Sequence, residues 1–257
     1  MAEPVLVTES LSKRFGGLVA VSSVSLIVQA GDVHCVIGPN GAGKTTFLNL
    51  LSGALAPSDG RIRFNGQDIT GLPDHRRARL GLGRSFQRTN IFPEFTVYEN
   101  CRLGAQAKLP TSMRFIRPAE SDVAVRERAE RAMELVGLMA RREARASVLS
   151  HGEQRQLEIG VMLATEPSLL LLDEPMAGMS ADETTRMVAL IKRLKAGHTL
   201  VLIEHDMDAV FAVADIITVM VNGAVLASGR PEEIRRSQAV QDAYLGGSEV
   251  ETGMPGL

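Results

Sequence analysis

A glycine-rich segment carries the clearest chemistry in this sequence. It runs from Gly38 to Thr45 as GPNGAGKT, matches the pattern GxxxxGK[ST], and lies between an apolar strand pattern and a helix pattern. Glycines let successive backbone N–H groups curl around phosphate oxygens, and the following helix N-terminus adds partial positive charge. Lys44 can neutralise β- and γ-phosphates, and the Thr45 hydroxyl can bind Mg²⁺. The predicted nucleotide-binding residues here are Gly38, Pro39, Asn40, Gly41, Ala42, Gly43, Lys44, Thr45 and Thr46.

Two adjacent carboxylates end a second apolar strand pattern. The segment SLLLLDE predicts a buried strand whose carboxyl end carries Asp173 and Glu174. Beside a phosphate loop, Asp173 is expected to hold Mg²⁺, directly or through water. Glu174 is expected to be the general base for an attacking water. In isolation the segment fits a core strand capped by acidic turn residues equally well, and the phosphate loop decides against that alternative.

A third motif, LSHGE, precedes that strand by a short helix. By itself it is a capping box, Ser150-x-x-Glu153, opening the helix EQRQLEIGVMLA. Together with the first two motifs it resembles the LSGGQ signature of the ABC transporter ATPases, and the likeness covers nearly the whole chain. The resemblance implies that Ser150, His151, Gly152 and Glu153 bind the γ-phosphate of an ATP held by a partner subunit. His151 and Glu153 depart from the family, which has glycine and glutamine there.

Three single residues gain roles only through this resemblance. Gln87, in SFQ, resembles the Q-loop residue that senses Mg²⁺ and faces the membrane partner, and His205, after TLVLIE, resembles the switch histidine that contacts the γ-phosphate. Phe15, in KRFGG, resembles the aromatic residue that stacks on adenine. A lone glutamine or histidine is more often structural, and a phenylalanine near a strand is usually core. The implied catalytic residues are Glu174, His205 and Gln87, and the implied Mg²⁺ ligands are Thr45, Gln87 and Asp173.

The loop after Glu174 departs from the family at its end. It places Ser180 where the family commonly has aspartate. Ser180-x-x-Glu183 is a second capping box, and it predicts a helix over ADETTRMVALIKRLKAG. The buried stripe of that helix is expected to be Met187, Leu190, Ile191 and Leu194. The departure puts in question the detailed coupling between two ATP sites that the resemblance implies, and not ATP binding.

The elements that position these motifs predict an α/β fold. Residues 5–28 form two strand patterns around Gly16-Gly17, and residues 60–69 form a hairpin around an Asn-Gly turn. Buried strands then alternate with helices, which favours a parallel sheet. A further hairpin turns at Asn222-Gly223.

We therefore expect a P-loop NTPase core with a mostly parallel sheet, an N-terminal antiparallel β subdomain and an inserted α-helical subdomain. The helical subdomain covers about residues 89–165, which are rich in Arg and Glu, and AVRERAERAMELVGL is its clearest helix. The ATPase domain is expected to span residues 1–247, with a flexible tail over 248–257.

Composition narrows the class of protein. With a net charge of −2, the chain lacks the basic excess of a protein that coats nucleic acid. The cluster DHRRARLGLGRSFQR is compatible with nucleic-acid binding, but a solvated helix face is the favoured interpretation. We find neither a signal peptide nor an apolar run near the roughly 18–20 residues that span a bilayer. Two cysteines are too few for a disulfide framework, and Cys35 is expected to be a small buried hydrophobe.

The resemblance implies a protein that works as half of a dimer. In the family, the phosphate loop of one subunit and the signature of another sandwich each ATP. A second cassette, identical or different, is therefore expected, together with transmembrane permease subunits and, indirectly, a periplasmic or surface solute-binding protein. The expected location is the cytoplasmic face of the inner membrane, where the cassette is peripheral.

Within the family, four stretches resemble the cassettes of branched-chain amino acid importers. They are GLGRSFQRTNIFPEFTVYEN, LSHGEQRQLEIGVMLA, DEPMAGMS and PEEIRRSQAVQDAYLGG. Importers of urea and short amides and the lipopolysaccharide-export cassette share much of this pattern. A soluble ABC ATPase of translation or DNA repair usually has two cassettes or long coiled coils, which this sequence lacks. A plain kinase or GTPase is disfavoured by the signature and by His205.

A cluster of aromatic residues is the candidate contact with the membrane partner. The stretch TNIFPEFTVYEN holds three aromatics, whereas aromatic residues make up 4% of the chain. We expect Val97 and Tyr98 to pack internally. Phe92 and Phe95, which flank Pro93 in a predicted turn, are expected to be partly exposed and to anchor the permease.

Overall fold

The computed structural model describes residues 3–85, 90–107 and 123–245. Gln87 and the tail predicted over 248–257 lie outside the described residues. Contacts divide the chain into two compact units: Met1–Asp74 with Thr199–Leu257, and His75–His198. The helices expected in the inserted subdomain belong to the second unit, and the boundaries of that subdomain stay a prediction.

The strands in chain order are β1 (Leu6–Phe15), β2 (Leu18–Val28), β3 (Val33–Ile37), β4 (Asp59–Phe64), β5 (Gln67–Asp68), β6 (Leu82–Arg84), β7 (Leu169–Asp173), β8 (Thr199–Ile203), β9 (Ile216–Val221) and β10 (Ala224–Gly229). The helices are α1 (Lys44–Ser52), α2 (Asp74–Arg79), α3 (Val97–Gln106), α4 (Val123–Val136), α5 (His151–Leu163), α6 (Ala181–Leu194), α7 (Met207–Val213), α8 (Pro231–Arg236) and α9 (Gln238–Leu245). In the described ranges, no helix combines the length and apolar character needed to cross a membrane.

The first unit holds an antiparallel sheet and a group of mostly parallel strands. The antiparallel sheet has the order β2-β1-β4-β5 and is the predicted N-terminal subdomain. Elsewhere in the unit β3 pairs in parallel with β8 on one side and β9 on the other, and β10 pairs antiparallel to β9. All residues of β3 and β8 are buried, as expected of parallel strands covered on both faces.

Asn-Gly turns close both predicted hairpins of this unit. Asn65 and Gly66 have φ values of 49° and 76°, and Asn222 and Gly223 have 49° and 81°. A two-residue hairpin turn of this type needs positive φ at both central positions, which asparagine and glycine adopt most readily. Both turn predictions are confirmed.

The second unit pairs β6 in parallel with β7 and packs helices α3, α4 and α5 against one another. The buried stripe predicted for α6 is confirmed, since the buried residues of that helix are Met187, Leu190, Ile191 and Leu194. The α/β class with parallel strands, an antiparallel sheet and a helical region is therefore confirmed.

One interpretation of the basic cluster is wrong in part. Arg76 and Arg79 lie on an exposed face of α2, as expected, but Arg77 is only 1% exposed. A short helix lying on the protein turns about one residue in three or four inward, and in α2 that residue is Arg77. The prediction for Cys35 is confirmed, because the side chain is fully buried and burial raises the pKa of its thiol.

Candidate functional site

The phosphate loop connects the end of β3 to the start of α1, as predicted. Gly38, Gly41 and Gly43 all have positive φ. A Cβ at Gly38 would lie 2.1 Å from the Met220 carbonyl oxygen, and one at Gly43 would lie 2.2 Å from the Ala20 carbonyl oxygen. Both obstacles are backbone atoms that cannot rotate away. The loop therefore requires glycine at these positions for steric as well as conformational reasons.

The turn of the β9–β10 hairpin holds this loop in place. The Gly223 N–H donates to the Ala42 carbonyl oxygen at 3.1 Å, and the Ser22 N–H donates to the Gly223 carbonyl oxygen at 2.8 Å. The β2 strand and the hairpin turn thus clasp the loop from segments far apart in the sequence.

The Lys44 side chain points back into the phosphate loop. Its ammonium donates to the carbonyl oxygens of Gly38 at 2.6 Å and Pro39 at 3.0 Å, and the side chain is 7% exposed. Helix α1 has no acidic residue in its first turn, and its N-cap residue, Gly43, has no side chain to cap it. The N-terminus of α1 therefore combines helix-dipole charge with a buried cation, which suits a polyphosphate. Thr45 and Thr46, which follow Lys44, are half-buried.

Asp173 and Glu174 end β7 in different environments. Asp173 is 1% exposed, and its backbone N–H donates to the Ser85 hydroxyl at 3.2 Å. Glu174 is half-buried and has a φ of 46°, which is unusual for a residue with a long side chain. Strained backbone of this kind occurs at active sites as well as in turns. Ser85 is a neighbour that sequence reasoning missed, although it directly precedes the FQ of the predicted Q-loop.

The signature segment opens α5 with the predicted capping box. The Ser150 hydroxyl accepts from the Glu153 N–H at 3.3 Å, and the Glu153 carboxylate accepts from the Ser150 N–H at 2.9 Å. His151 is exposed, and a Cβ placed on Gly178 would lie 3.6 Å from its ring. The departures at 151 and 153 therefore leave the helix N-terminus properly formed.

A second carboxylate reaches the same helix N-terminus from α6. Glu183 Oε1 accepts from the Ser150 hydroxyl and from the Gly152 N–H, both at 3.0 Å. Its Oε2 accepts from the N–H and the hydroxyl of Ser180, both at 3.1 Å. Hydrogen bonds from Ser180, Gly152 and Ser150 lower the pKa of Glu183 to about 2. The Ser180 capping box is confirmed, but the contact with Ser150 and Gly152 was missed.

Two further candidates belong to the first unit and are exposed. His205 follows β8, and its side chain is 61% exposed. The preceding Glu204 is fully buried, and its Oε2 accepts from the His205 N–H at 3.0 Å and lies 3.7 Å from the His205 Nδ1. Phe15 is 48% exposed rather than part of the core, and the Lys13 ammonium lies 5.2 Å from the centre of its ring.

The turn before α3 displays two aromatic rings. Phe92 and Phe95 are 56% and 39% exposed, and their rings stack with centroids 5.3 Å apart. The buried Asn100 side chain fixes the turn, because it accepts from the Phe92 N–H at 2.8 Å and donates to the Phe92 carbonyl oxygen at 3.0 Å. Val97 is buried and Tyr98 half-buried, with the Arg142 guanidinium over the Tyr98 ring. The predicted exposure of this segment is confirmed.

Comparisons with protein families agree with these motifs. The family described as "ABC transporter" matches residues 21–177, which is more than half of the chain. The family described as "Branched-chain amino acid ATP-binding cassette transporter" matches residues 224–250.

Relatives and solved structures match over nearly the full length. The high-affinity branched-chain amino acid transport ATP-binding protein BraF of Pseudomonas aeruginosa is 43% identical over 253 residues, covering 96% of this chain and 99% of BraF. LivG of Escherichia coli, described in the same words, is 40% identical over 255 residues with the same coverage. The ADP conformation of an ATP-binding cassette of an ABC transporter superposes with a TM-score of 0.85 at 33% identity, covering 95% of this chain and 100% of the cassette. A nucleotide-free cassette gives 0.81 at 31% identity, with 98% and 100% covered.

Proposed function

The chain belongs to the ABC transporter ATP-binding family, whose members hydrolyse ATP to power transport, and we propose that it drives the import of branched-chain amino acids. One observation carries the substrate class. Relatives whose names specify branched-chain amino acid transport match 96% of the chain at 40–43% identity, and the C-terminal match over residues 224–250 belongs to the same kind of transporter. The inference rests on this kinship, because a cassette does not touch the transported solute.

In this proposal the phosphate loop, Gly38 to Thr46, binds the triphosphate. Support comes from the left-handed glycines, the dipole of α1 and the buried ammonium of Lys44, which exchanges the carbonyls of Gly38 and Pro39 for phosphate oxygens. Phe15 stacks on the adenine ring, and the exposure of its ring supports that role.

Thr45, Asp173 and Gln87 are proposed to hold Mg²⁺. A hydroxyl, a carboxylate and an amide supply the hard oxygen donors that this ion prefers, and the buried Asp173 carboxylate gains from a cationic neighbour. A bound Mg²⁺ would supply charge neutralisation at the transferred phosphoryl group.

Glu174 acts as the general base toward the attacking water. Its half-buried carboxylate and strained backbone, next to the buried Asp173, support this role. His205 contacts the γ-phosphate, and the fully buried Glu204, 3.7 Å from Nδ1, positions its ring. Gln87 completes the set as the residue linking Mg²⁺ to the membrane partner.

The chain is proposed to act in a dimer with a second, identical or different, cassette. Ser150, His151, Gly152 and Glu153 then contact the ATP held by the partner subunit. The capped N-terminus of α5, with an exposed Ser150 hydroxyl, supports this assignment. ATP closes the dimer because both subunits bind its γ-phosphate, and hydrolysis releases it.

Permease subunits are the proposed membrane partners, and a solute-binding protein delivers the amino acid to them. The chain therefore associates peripherally with the membrane, on the cytoplasmic face. The stacked rings of Phe92 and Phe95 are proposed as the anchor for a permease segment, because exposed aromatics on a fixed turn are typical of interface hot spots.

Uptake measurements test the substrate class. Cells in which the gene is deleted should lose high-affinity uptake of labelled leucine, isoleucine and valine, and should keep urea uptake. Wild-type protein should restore the lost uptake, whereas Glu174→Gln should not. Normal leucine uptake in the deletion strain, with loss of urea or acetamide uptake, would assign the chain to a short-amide importer instead.

The hydrolysis step has its own test. Glu174→Gln should lower ATP turnover by roughly 10²- to 10⁴-fold, because the amide cannot take the proton of the attacking water. ATP affinity should be retained, so an ATP-bound dimer should accumulate on gel filtration. Asp182→Ala, which removes an exposed carboxylate nearby in the sequence, is the matched control and should leave turnover unchanged. Near-normal turnover of Glu174→Gln would overturn the assignment.

A further inference from the structure

Glu183 makes more contacts than a helix cap requires. Capping of α6 is complete with Oε2 alone, which accepts from the Ser180 N–H, while the Glu183 N–H donates to the Ser180 hydroxyl. The other oxygen, Oε1, is turned to the signature segment and accepts from the Ser150 hydroxyl and the Gly152 N–H. Capping therefore leaves the second pair of hydrogen bonds unexplained.

Those two donors are the groups on which the proposed function relies. A hydroxyl has one hydrogen and a backbone amide has one hydrogen, so each can make one full-strength hydrogen bond as a donor. While both point at Glu183 Oε1, neither is available to a phosphate oxygen. A carboxylate at this position also repels a triphosphate, because like charges within a few ångströms disfavour each other.

We propose that Glu183 is an internal substitute for the partner's γ-phosphate: it occupies the signature donors of the free subunit and must leave them when the ATP of the second cassette arrives. The inference rests on the proposed role of Ser150 and Gly152. Glu183 is thus a positioning residue that sets the threshold for dimer closure. It keeps the donors aligned, and it lowers the affinity of the signature for ATP by competing for the same hydrogens.

The geometry favours displacement of the side chain over its protonation. Four hydrogen bonds keep the carboxylate ionised at neutral pH, so a proton does not release it. The obstacle at Gly152 is the flexible end of Glu183, since a Cβ on Gly152 would lie 2.8 Å from Oε1 and 3.0 Å from Cδ and Cγ. Rotation of the Glu183 side chain therefore clears the site without moving the backbone of α5.

The test compares ATP-dependent dimerisation by sedimentation velocity in the Glu174→Gln background, which retains ATP. Glu183→Ala removes the competing group, and Glu183→Gln keeps its shape but removes its charge. Asp182→Ala is the matched control, because it deletes an exposed carboxylate from the same first turn of α6. Ser150→Ala, measured in parallel, tests the signature itself.

At saturating Mg-ATP we expect Glu183→Ala to lower the dimer dissociation constant about tenfold, Glu183→Gln to lower it less, and Asp182→Ala to leave it unchanged. The thermal midpoint of Glu183→Ala without nucleotide should fall, because the cap is lost. Stability and dimer affinity should therefore move in opposite directions, which a purely structural role does not produce.

Three results would overturn the inference, and they separate it from the proposed function. If Ser150→Ala weakens the dimer and neither Glu183 variant strengthens it, the competition is absent and the signature role stands. A weaker dimer in both Glu183 variants makes the residue a structural support. If Ser150→Ala dimerises like its parent, the signature assignment and the competition fail together. Should Glu183→Ala not fold, Glu183→Gln alone decides by the same criteria.

Discussion

The phosphate loop of the first unit and the signature segment of the second are both proposed anion sites at a helix N-terminus, but they are built differently. In the phosphate loop the limits are backbone atoms, with carbonyl oxygens 2.1 and 2.2 Å from where a Cβ would stand on Gly38 and Gly43. In the signature segment the limit is the end of one side chain, that of Glu183. The first site is fixed by the fold, whereas the second can be opened by a rotation.

The internal partners of the two sites also have opposite charges. The phosphate loop holds its own cation, Lys44, on the carbonyls of Gly38 and Pro39. The signature segment holds an anion, Glu183, on the donors of Ser150 and Gly152. An incoming phosphate is therefore attracted by the first arrangement and opposed by the second. We infer that a subunit binds its own ATP with higher affinity than it binds the ATP held by its partner. ATP binding at the phosphate loop then precedes closure of the dimer.

The largest expected effect comes from a substitution in the phosphate loop that leaves the signature segment unchanged. Lys44→Ala removes the buried cation that is proposed to bind the triphosphate, and it should lower ATP affinity about 10²-fold or more. The thermal midpoint without nucleotide should change little, while the upward shift caused by Mg-ATP should vanish. Differential scanning fluorimetry with and without Mg-ATP measures both. Full stabilisation of the variant by ATP would show that the triphosphate binds elsewhere.

A matched pair of glycine variants sharpens the contrast between backbone and side-chain limits. Gly43→Ala places a methyl group against the Ala20 carbonyl in a left-handed conformation, and should destabilise the fold by about 2–4 kcal/mol. Gly152→Ala meets only a flexible carboxylate within a helix, and should change stability by less than about 1 kcal/mol. Urea unfolding of both variants provides the comparison. Equal losses of stability would contradict the distinction.

Acid should lower the stability of the first unit, which carries the phosphate loop. His34, on the strand leading into that loop, is 2% exposed, and burial lowers its pKa from 6.5 to about 4. Its Nε2 contacts the Thr218 hydroxyl at 2.8 Å, and its buried Nδ1 has no hydrogen-bond partner among the residues that the structure describes. The unfolded chain therefore binds more protons between these pKa values. The stability that neutral His34 contributes to the folded state is therefore fully present above about pH 6.5, and it is lost as the pH falls toward 4.

The expected loss is about 3 kcal/mol of unfolding free energy over that pH range. Urea titrations from pH 7 to pH 4 measure it, with His34→Gln as the variant that cannot titrate and His198→Gln as a control at a half-buried histidine. A pH dependence that is the same in wild type and His34→Gln would exclude this source.

The smallest expected effect comes from the aromatic turn before α3, where substitutions should leave both proposed anion sites intact. Phe92→Ala or Phe95→Ala should not change ATP binding or hydrolysis by the isolated subunit, since their rings are exposed on a turn that Asn100 fixes. Assembly with the permease should weaken by about 1–3 kcal/mol per lost anchor. Co-purification with the permease measures this, and Leu226→Ala is a control at another exposed apolar residue. Normal assembly of both variants would place the docking surface elsewhere.

Local signals predicted much of the fold and of the phosphate loop. The Asn-Gly turns, the capping boxes at Ser150 and Ser180, and the strand–loop–helix context of Lys44 all depend on residues within a few positions of one another. Such patterns can be found in a sequence because the interaction partners are adjacent in it.

The features that escaped prediction depend on distant partners. Glu183 reaches Ser150 and Gly152 across 33 and 31 residues, and nothing in a capping box says where its second oxygen points. Arg77 lies in a run of charges typical of solvated helices, and only the packing of α2 buries it. Asn100 is a nearer case: it fixes the Phe92 turn from eight residues along the chain, through contacts that belong to no recognisable motif.

The backbone contacts that hold the phosphate loop in place have a consequence for biosynthesis. The loop is complete in the chain by Thr45, but its anchors include the hairpin turn at Gly223 and the carbonyl of Met220. Chains emerge from the ribosome N-terminus first and fold as their contacts become available. A nascent chain that has exposed every residue of the phosphate loop therefore still lacks the strands that shape it. The nucleotide site therefore matures only after the hairpin turn at Gly223 has emerged, so ATP cannot stabilise a nascent chain that ends before this turn.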